Sequence, residues 1–562
     1  MIKLLYKSTD KDRMAITLKE KQLNLLDKMY GFEKITSQKT YNTDEIILDN
    51  EIIKKLKNYT LESYISDIET MGLELTWDNI CQFVLDNKEN LPDFLSVDNF
   101  GELYEIGLAI QDKYQKKSNG QYYTPDDVAQ IMSEWLYKCQ GENICDVACG
   151  TGKLILTYLD LIGYEKAREL ISSGKLYLYD FDNIALKICR TTLALKYGTD
   201  IADKINDIHC DFLDRTIILP ENCKVISNPP YSQLNDIQHY WEHTDVATET
   251  KEYYALFMEK ILKQSVSSVI ISPYSFISGG KFYPLRKLMN NLSGFIVAFD
   301  NVPGNIFCGR KQGIFNTNTS NSVRATITVS QKNQKDKGYK VSPLIRFKRT
   351  ERKDLLKCDV LEDFLNPVSQ LVNDKNAMFY KCDKRLNDIF NAWNAKSNGA
   401  ILSDYVKADG EYSISMPNTC RYFTTASPNI MNRSGQITFY LNDKKVFNYV
   451  YCMINSSFAY WYWRIYDGGI TYPKNLLLTL PMFFESLTED DHRFFEEITL
   501  EMISKSNDYI VTKNNVGTQE NIKFPKKYRD RINSRLLKIL GVEKDASIFD
   551  IIHSNMALEV NV

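Results

Sequence analysis

Between residues 118 and 335 short apolar runs recur with helical stretches between them: "ENICDVACG", "KLYLYDFD", "DIHCDFLD", "CKVISNPP", "SVSSVIISP", "GFIVAFD" and "RATITVSQK". Strands that alternate with helices predict a parallel, doubly wound α/β sheet. Ligands of such sheets sit at the carboxyl ends of the strands, so the residues that follow each run are the first place to look for chemistry. At 562 residues the chain exceeds one core, and two further units are expected. Residues 1–117 read as a helical N-terminal domain, because "LKEKQLNLLDKMY", "ILDNEIIKKLKNY" and "NFGELYEIGLAIQDKYQ" space apolar residues at three and four. Gly120 and Pro125 break that pattern, and after residue 335 the alternation fades into a polar and aromatic stretch, 336–562, long enough for a third domain.

The first strand runs into a turn with Gly150 and Gly152 and then a helix, in "NICDVACGTGKLIL". Such a turn lets backbone approach a ligand closely and presents helix N-terminal donors. A dinucleotide fingerprint would need glycine at 155, which is Ile155; a phosphate-binding loop would need glycine at 147 and a hydroxyl residue at 154, which are Val147 and Leu154. What remains is a series of acids at strand ends: Asp146, Asp180 and Asp211. Asp180 is placed to accept from ribose hydroxyls, Asp146 can meet an ammonium, and Asp211 with Phe212 can bind and stack on adenine. An amine, a ribose and an adenine together make S-adenosylmethionine.

The fourth strand ends in Asn228-Pro229-Pro230-Tyr231. Proline has a carbonyl but no N–H, so Asn228 Oδ1 and the Pro229 carbonyl form an acceptor-only pair. That pair suits a planar amino group whose lone pair is delocalised. Accepting both of its hydrogens pulls the nitrogen toward tetrahedral geometry and frees the lone pair for attack on a methyl sulfonium, a catalysis of positioning and electrostatics. Tyr231 is placed to stack on the planar group. Read alone, the motif is also compatible with a proline-rich turn that closes a strand.

The ordered set "GQYYTP", "DVACGTGKL", "LYLYDFD", "CDFLD", "ISNPPY" and "YYALFMEKIL" resembles the gamma-class N6-adenine DNA methyltransferases, including type I modification subunits and type II enzymes. The resemblance implies a Rossmann-like S-adenosylmethionine-dependent domain at 118–335, with a mixed α+β target-recognition domain at 336–562. It implies that Thr124 holds the methionine carboxylate and that Asp146 and Gly150 line the methionine part. Asp180 takes the ribose and Asp211 and Phe212 the adenine, with Tyr123, Ala148, Gly152 and Phe181 beside them. Asn228 and Pro229 bind the target N6, Pro230 completes the motif, Tyr231 stacks on the flipped base and Phe307 of "GNIFCG" closes its other face. The partners implied are double-stranded DNA and either a cognate restriction endonuclease or a specificity subunit. Asp146 stands where glutamate is frequent and Val147 where proline is frequent; neither departure removes an acceptor.

The aromatic segment 446–482 resembles target-recognition domains of these enzymes, and recognition is the expected role of Phe458, Tyr460, Trp461 and Trp463 over simple packing in a core. A base inside a duplex has to be flipped out, and a clamp with basic and aromatic side chains must hold the opened DNA. Net charge is −3, so any such surface is local. Two stretches qualify: 340–357 with seven basic and two acidic residues, and 523–538 with seven basic and one acidic. "HYWEH" at 239–243 matches a zinc-protease pattern but falls where a loop over the target base would lie, and no metal is expected. Twelve cysteines without a CxxC pair read as reduced thiols. No apolar run has the length of a membrane span, and the early charges of "MIKLLYKSTDKDR" do not suit a signal peptide, so a cytoplasmic location without a membrane partner is expected. Three readings stay open: an adenine methyltransferase with its own recognition domain, a modification subunit served by a separate specificity subunit, and a methyltransferase of protein glutamine or RNA amino groups.

Overall fold

The computed structural model describes residues 2–7, 13–18, 45–48, 124–234, 244–307, 323–332, 335–372, 378–513 and 519–558. It divides into two compact units. The first holds Met1–Tyr339, Arg352–Glu362 and Leu371–Ala377; the second holds Lys340–Glu351, Asp363–Gln370 and Met378–Val562.

In the first unit, three strands near the N-terminus, β1 (Ile2–Lys7), β2 (Arg13–Leu18) and β3 (Glu45–Leu48), form a sheet in the order β2-β1-β3. The helical expectation for 1–117 did not contain them. "IKLLYK" and "RMAITL" are too short for a helical period to show, while the helical segments lie mostly outside the described residues. The "HYWEH" stretch and Tyr123 also lie outside them.

In the first unit the main sheet includes β4 (Asn143–Val147), β5 (Leu176–Asp180), β6 (Asn206–His209), β7 (Cys223–Ser227), β8 (Ser267–Pro273), β9 (Ser293–Phe299) and β10 (Ala325–Gln331), with these strands in the order β9-β10-β8-β7-β4-β5-β6. The five strands β8-β7-β4-β5-β6 run parallel, and β10 is antiparallel to both β8 and β9. This is the Rossmann-like α/β sheet expected for 118–335. Every residue of β7 is buried, which is why "CKVIS" reads as a run without alternation: a parallel strand covered on both faces has no solvent side. From β4 the chain winds outward to β5 and β6, then crosses back to β7 and β8 on the other side. The reversal opens a crevice beyond the carboxyl ends of β4 and β7, the standard ligand position in this architecture.

Gly152 caps the helix Lys153–Ile162 in the left-handed region, φ +91°, and a Cβ there would run into Cys189 Sγ. Gly152→Ala combines left-handed strain with overpacking, and an unfolding loss of about 2–4 kcal/mol is expected by urea titration. A loss within about 0.5 kcal/mol would mean that the turn is not held as described.

The second unit mixes helices with two antiparallel strand pairs, β11 (Tyr412–Pro417) with β12 (Gln436–Leu441) and β13 (Ile510–Lys513) with β14 (Gln519–Ile522). Its core is the aromatic segment. Helices Lys444–Asn455 and Ser457–Tyr466 bury Phe458 and Tyr460 at 0% exposure and Trp461 and Trp463 at 1%. Trp393 meets the Phe458 ring edge-on at 4.9 Å and stacks on Trp461 at 5.9 Å. These aromatics are packing residues. Trp461→Ala is expected to cost about 3–5 kcal/mol of unfolding free energy, whereas a DNA-contact role would weaken DNA binding at unchanged stability.

Candidate active site

Strand register assembles the site. Val147 pairs with Tyr179 on one side and Ser227 on the other, so the next residues, Ala148, Asp180 and Asn228, leave three adjacent strands side by side. Ser227 Oγ donates to the Val147 carbonyl at 2.7 Å and ties two of these ends together. Cys210 N donates to the Asp180 carbonyl at 3.0 Å, which brings the 210–212 segment to the same edge.

The turn after β4 is strained in the way a close-approach loop requires. Ala148 sits at φ 61° and Gly150 at φ 52°. Two backbone donors, Ala148 N and Cys149 N, reach the Tyr179 carbonyl at 2.9 and 3.1 Å. Asp180 stiffens the turn further: its Oδ2 accepts from Gly150 N at 2.7 Å and its Oδ1 from Asp182 N at 2.8 Å. Burial is the main reason its carboxyl is pushed up to about 6, against the pull of those N–H bonds. Asp182, not singled out in the sequence, caps the next helix by accepting from Ile184 N and Ala185 N; an Asp just before an apolar-periodic run was the available signal.

Asp146 is fully buried. Its Oδ2 accepts from Ile155 N at 3.1 Å, while its Oδ1 has no hydrogen-bond partner among the described residues. Desolvation, reinforced by the Asp180 charge, pushes this carboxyl up to about 8. A buried carboxylate oxygen without a donor, beside a glycine whose Cβ position faces nothing within 4 Å, fits an ammonium-bearing ligand lying along the 148–150 turn. The donor set therefore suits S-adenosylmethionine: Asp146 for the amino group, the Gly150 turn for the chain and the end of β5 for the ribose.

Thr124 is buried and accepts from Asn228 Nδ2 at 2.9 Å. That bond uses the amide's donor end and leaves its oxygen end as the acceptor. Tyr231 meets Tyr254 at 6.4 Å and Phe307 at 5.9 Å, both edge-to-face. Thr124, Asn228, Tyr231 and Phe307 are thus brought together, although Thr124 and Asn228 are 104 residues apart. Tyr254 had no distinct signal, being one of two tyrosines at a helix start.

The adenine end is less open. Asp211 is exposed and accepts from Leu213 N at 2.9 Å. Phe212 is 3% exposed, packed against Phe257 at 5.2 Å with Lys260 Nζ 4.8 Å over its ring. Phe181, by contrast, is 77% exposed directly after Asp180.

The two basic stretches do not form bare cationic strips. Arg346 is buried and donates to the Arg421 carbonyl and Tyr460 hydroxyl; Arg352 is buried in the first unit. In the second stretch Lys526 pairs with Asp530 and Asp550, Arg531 with Glu501, and Arg535 with Asp490 and Asp491. Much of the charge is answered locally, as a solvated or bridged face would be.

The doubly wound sheet thus carries a glycine turn, a buried acid and an Asn-Pro-Pro-Tyr strand end along one edge. Residues 95–357 match the model of the N-6 DNA Methylase family. The chain is 23% identical over 327 residues to the type I restriction enzyme MpnII methylase subunit of Mycoplasma pneumoniae, covering 53% of each chain. It is 25% identical over 242 residues to the type I restriction enzyme EcoEI methylase subunit of Escherichia coli, covering 41% of this chain and 48% of that one. It therefore spans about half the length of these relatives. Among solved structures, a nuclease-deletion mutant of the Type ISP restriction-modification enzyme LlaGI, in complex with a DNA substrate mimic, aligns with a TM-score of 0.44 and 13% identity, covering 79% of this chain and 60% of that one. No helix among the described residues is long and apolar enough to cross a membrane.

Proposed function

We propose that this protein transfers a methyl group from S-adenosylmethionine to N6 of an adenine flipped out of duplex DNA. The observation that carries the reading is the Thr124–Asn228 bond, which uses the donor end of the Asn228 amide and leaves its oxygen end as the acceptor, one residue before a proline carbonyl and at the end of the strand adjacent to that of the buried Asp146. Bound S-adenosylmethionine supplies an electrophilic methyl group on a sulfonium. Asn228 Oδ1 and the Pro229 carbonyl accept the two N6 hydrogens, orient the amino group and concentrate its lone pair toward the methyl; Tyr231 stacks on the base. The catalytic gain comes from acceptors already fixed in place before the base arrives. A base sandwiched between two rings needs them roughly 7–8 Å apart and parallel. Tyr231 and Phe307 stand at 5.9 Å and 66°, so one ring turns aside when the base enters.

In this reading the partners are duplex DNA and a specificity subunit or nuclease. The modification-subunit form gains support from the curated relatives, which are named as methylase subunits, and from the packed state of the aromatics at 458–463. Incubation with tritiated S-adenosylmethionine and equimolar duplex DNA, transfer RNA or denatured cell protein separates the readings. Label in DNA as N6-methyladenine is the expected result; label only in RNA or in protein glutamine would replace it.

A further inference from the structure

Arg352 belongs to a stretch that reads as a surface charge run, yet it is 9% exposed and makes four charge-assisted hydrogen bonds inside the first unit. Its Nε and Nη2 donate to the two carboxylate oxygens of Asp127 at 2.6 and 2.8 Å. Nη1 donates to the Asn305 carbonyl at 2.8 Å and Nη2 also to the Ile306 carbonyl at 2.7 Å. A planar guanidinium engaged on both edges is a rigid clamp, which lysine could not reproduce. What it clamps is informative. Asp127 lies three residues after Thr124, in the first turn of the helix Asp126–Lys138. Asn305 and Ile306 immediately precede Phe307, whose backbone N–H is further held by Asn305 Oδ1 at 2.8 Å.

The short segment 124–127 therefore anchors two walls of one pocket. Through Thr124 it holds the Asn228 amide, and through Asp127 and Arg352 it holds the backbone that carries Phe307. We infer that Arg352 is a positioning residue that fixes the station of Phe307, opposite Tyr231, relative to the Asn228 acceptor. With the backbone of residues 305–306 pinned, the opening that admits a base comes from side-chain rotation, and the ring returns to the same place. The inference rests on the proposed methyl transfer for its meaning, but the clamp itself can be tested without it.

The test uses the full chain with Arg352→Met, Phe307→Ala and the double substitution. Amide exchange across residues 303–307 is measured in wild type and Arg352→Met, S-adenosylmethionine affinity by calorimetry in all four proteins, and kcat/KM for methyl transfer to mixed-sequence duplex DNA in parallel. Faster exchange at 303–307 is expected in Arg352→Met, with cofactor affinity within about threefold and transfer lowered on the order of 10–100-fold, as for a misplaced positioning group. Because Arg352 acts through Phe307, the double substitution is expected to lose no more than the worse single one. Unchanged exchange at 303–307 overturns the clamp whether or not DNA is methylated. Fully multiplicative losses in transfer overturn the positioning role and leave Arg352 as a general brace. Absence of transfer by the wild type overturns the functional reading instead, while the exchange result still decides the clamp.

Discussion

Asn228→Ala is expected to lower methyl transfer by about 10²–10³-fold or more, while leaving S-adenosylmethionine affinity and thermal stability close to wild type. The range follows from removing a fixed hydrogen-bonding group aimed at the reacting centre. The substitution deletes Oδ1, one of two acceptors for the target amino group, and also frees Thr124 Oγ1 from its 2.9 Å bond with Nδ2. Asn228 is half-buried at the mouth of the crevice rather than in the core, so its truncation leaves little cavity behind. Transfer kinetics, calorimetric cofactor binding and a melting curve on the same preparation form the check. Loss of activity accompanied by an equal loss of cofactor binding would place Asn228 in the wrong part of the mechanism.

Asp146→Asn is expected to act in the opposite pattern, losing cofactor binding but gaining stability at alkaline pH. A buried ammonium–carboxylate contact that loses one charge costs roughly 2–5 kcal/mol, so binding should weaken by about 30-fold to several thousandfold. The stability effect follows from the raised carboxyl, about 8 in the folded protein against about 4 when unfolded. Between these values the folded state holds a proton that the unfolded state has released. Its contribution to stability is fully present below the ordinary carboxylate range and is lost as pH rises through about 8. Wild type should therefore lose more stability between pH 5 and pH 9 than Asp146→Asn does, and the variant should melt higher at pH 9. The same proton must leave when the cofactor's ammonium arrives. At pH 7 binding should release protons, visible as a dependence of the calorimetric heat on the buffer's ionisation enthalpy; a buffer-independent heat would contradict this.

The main sheet could be read from the sequence because a parallel strand buried on both faces is an unbroken apolar run, and the residues after each run fall at one edge of the sheet. Asp146, Asp180, Asn228 and Tyr231 were found this way, and their neighbourhood follows from register. What the sequence does not show is pairing at a distance. Arg352 and Asp127 are 225 residues apart, and nothing in "TERKDLL" separates a clamp from a solvated charge. The aromatics of 458–463 correct the expectation of a recognition role: rings at helical spacing also suit packing, and the hydrophobic gain of burying them places them in the core. Phe212 and Phe181 carry a related lesson. They follow different strands, and nothing in their local sequence separates the packed ring, Phe212 against Phe257, from the exposed one, Phe181.

The central claim is that the strand end at 228–231 holds an amino nitrogen for methylation. It is tested most directly by incubating wild type and Asn228→Ala with tritiated S-adenosylmethionine and duplex DNA, then digesting the DNA and identifying the labelled nucleoside. The account predicts label in N6-methyldeoxyadenosine for wild type and a loss of at least about a hundredfold for the variant. Equal incorporation by the two proteins, or label at a carbon of the base, would contradict it.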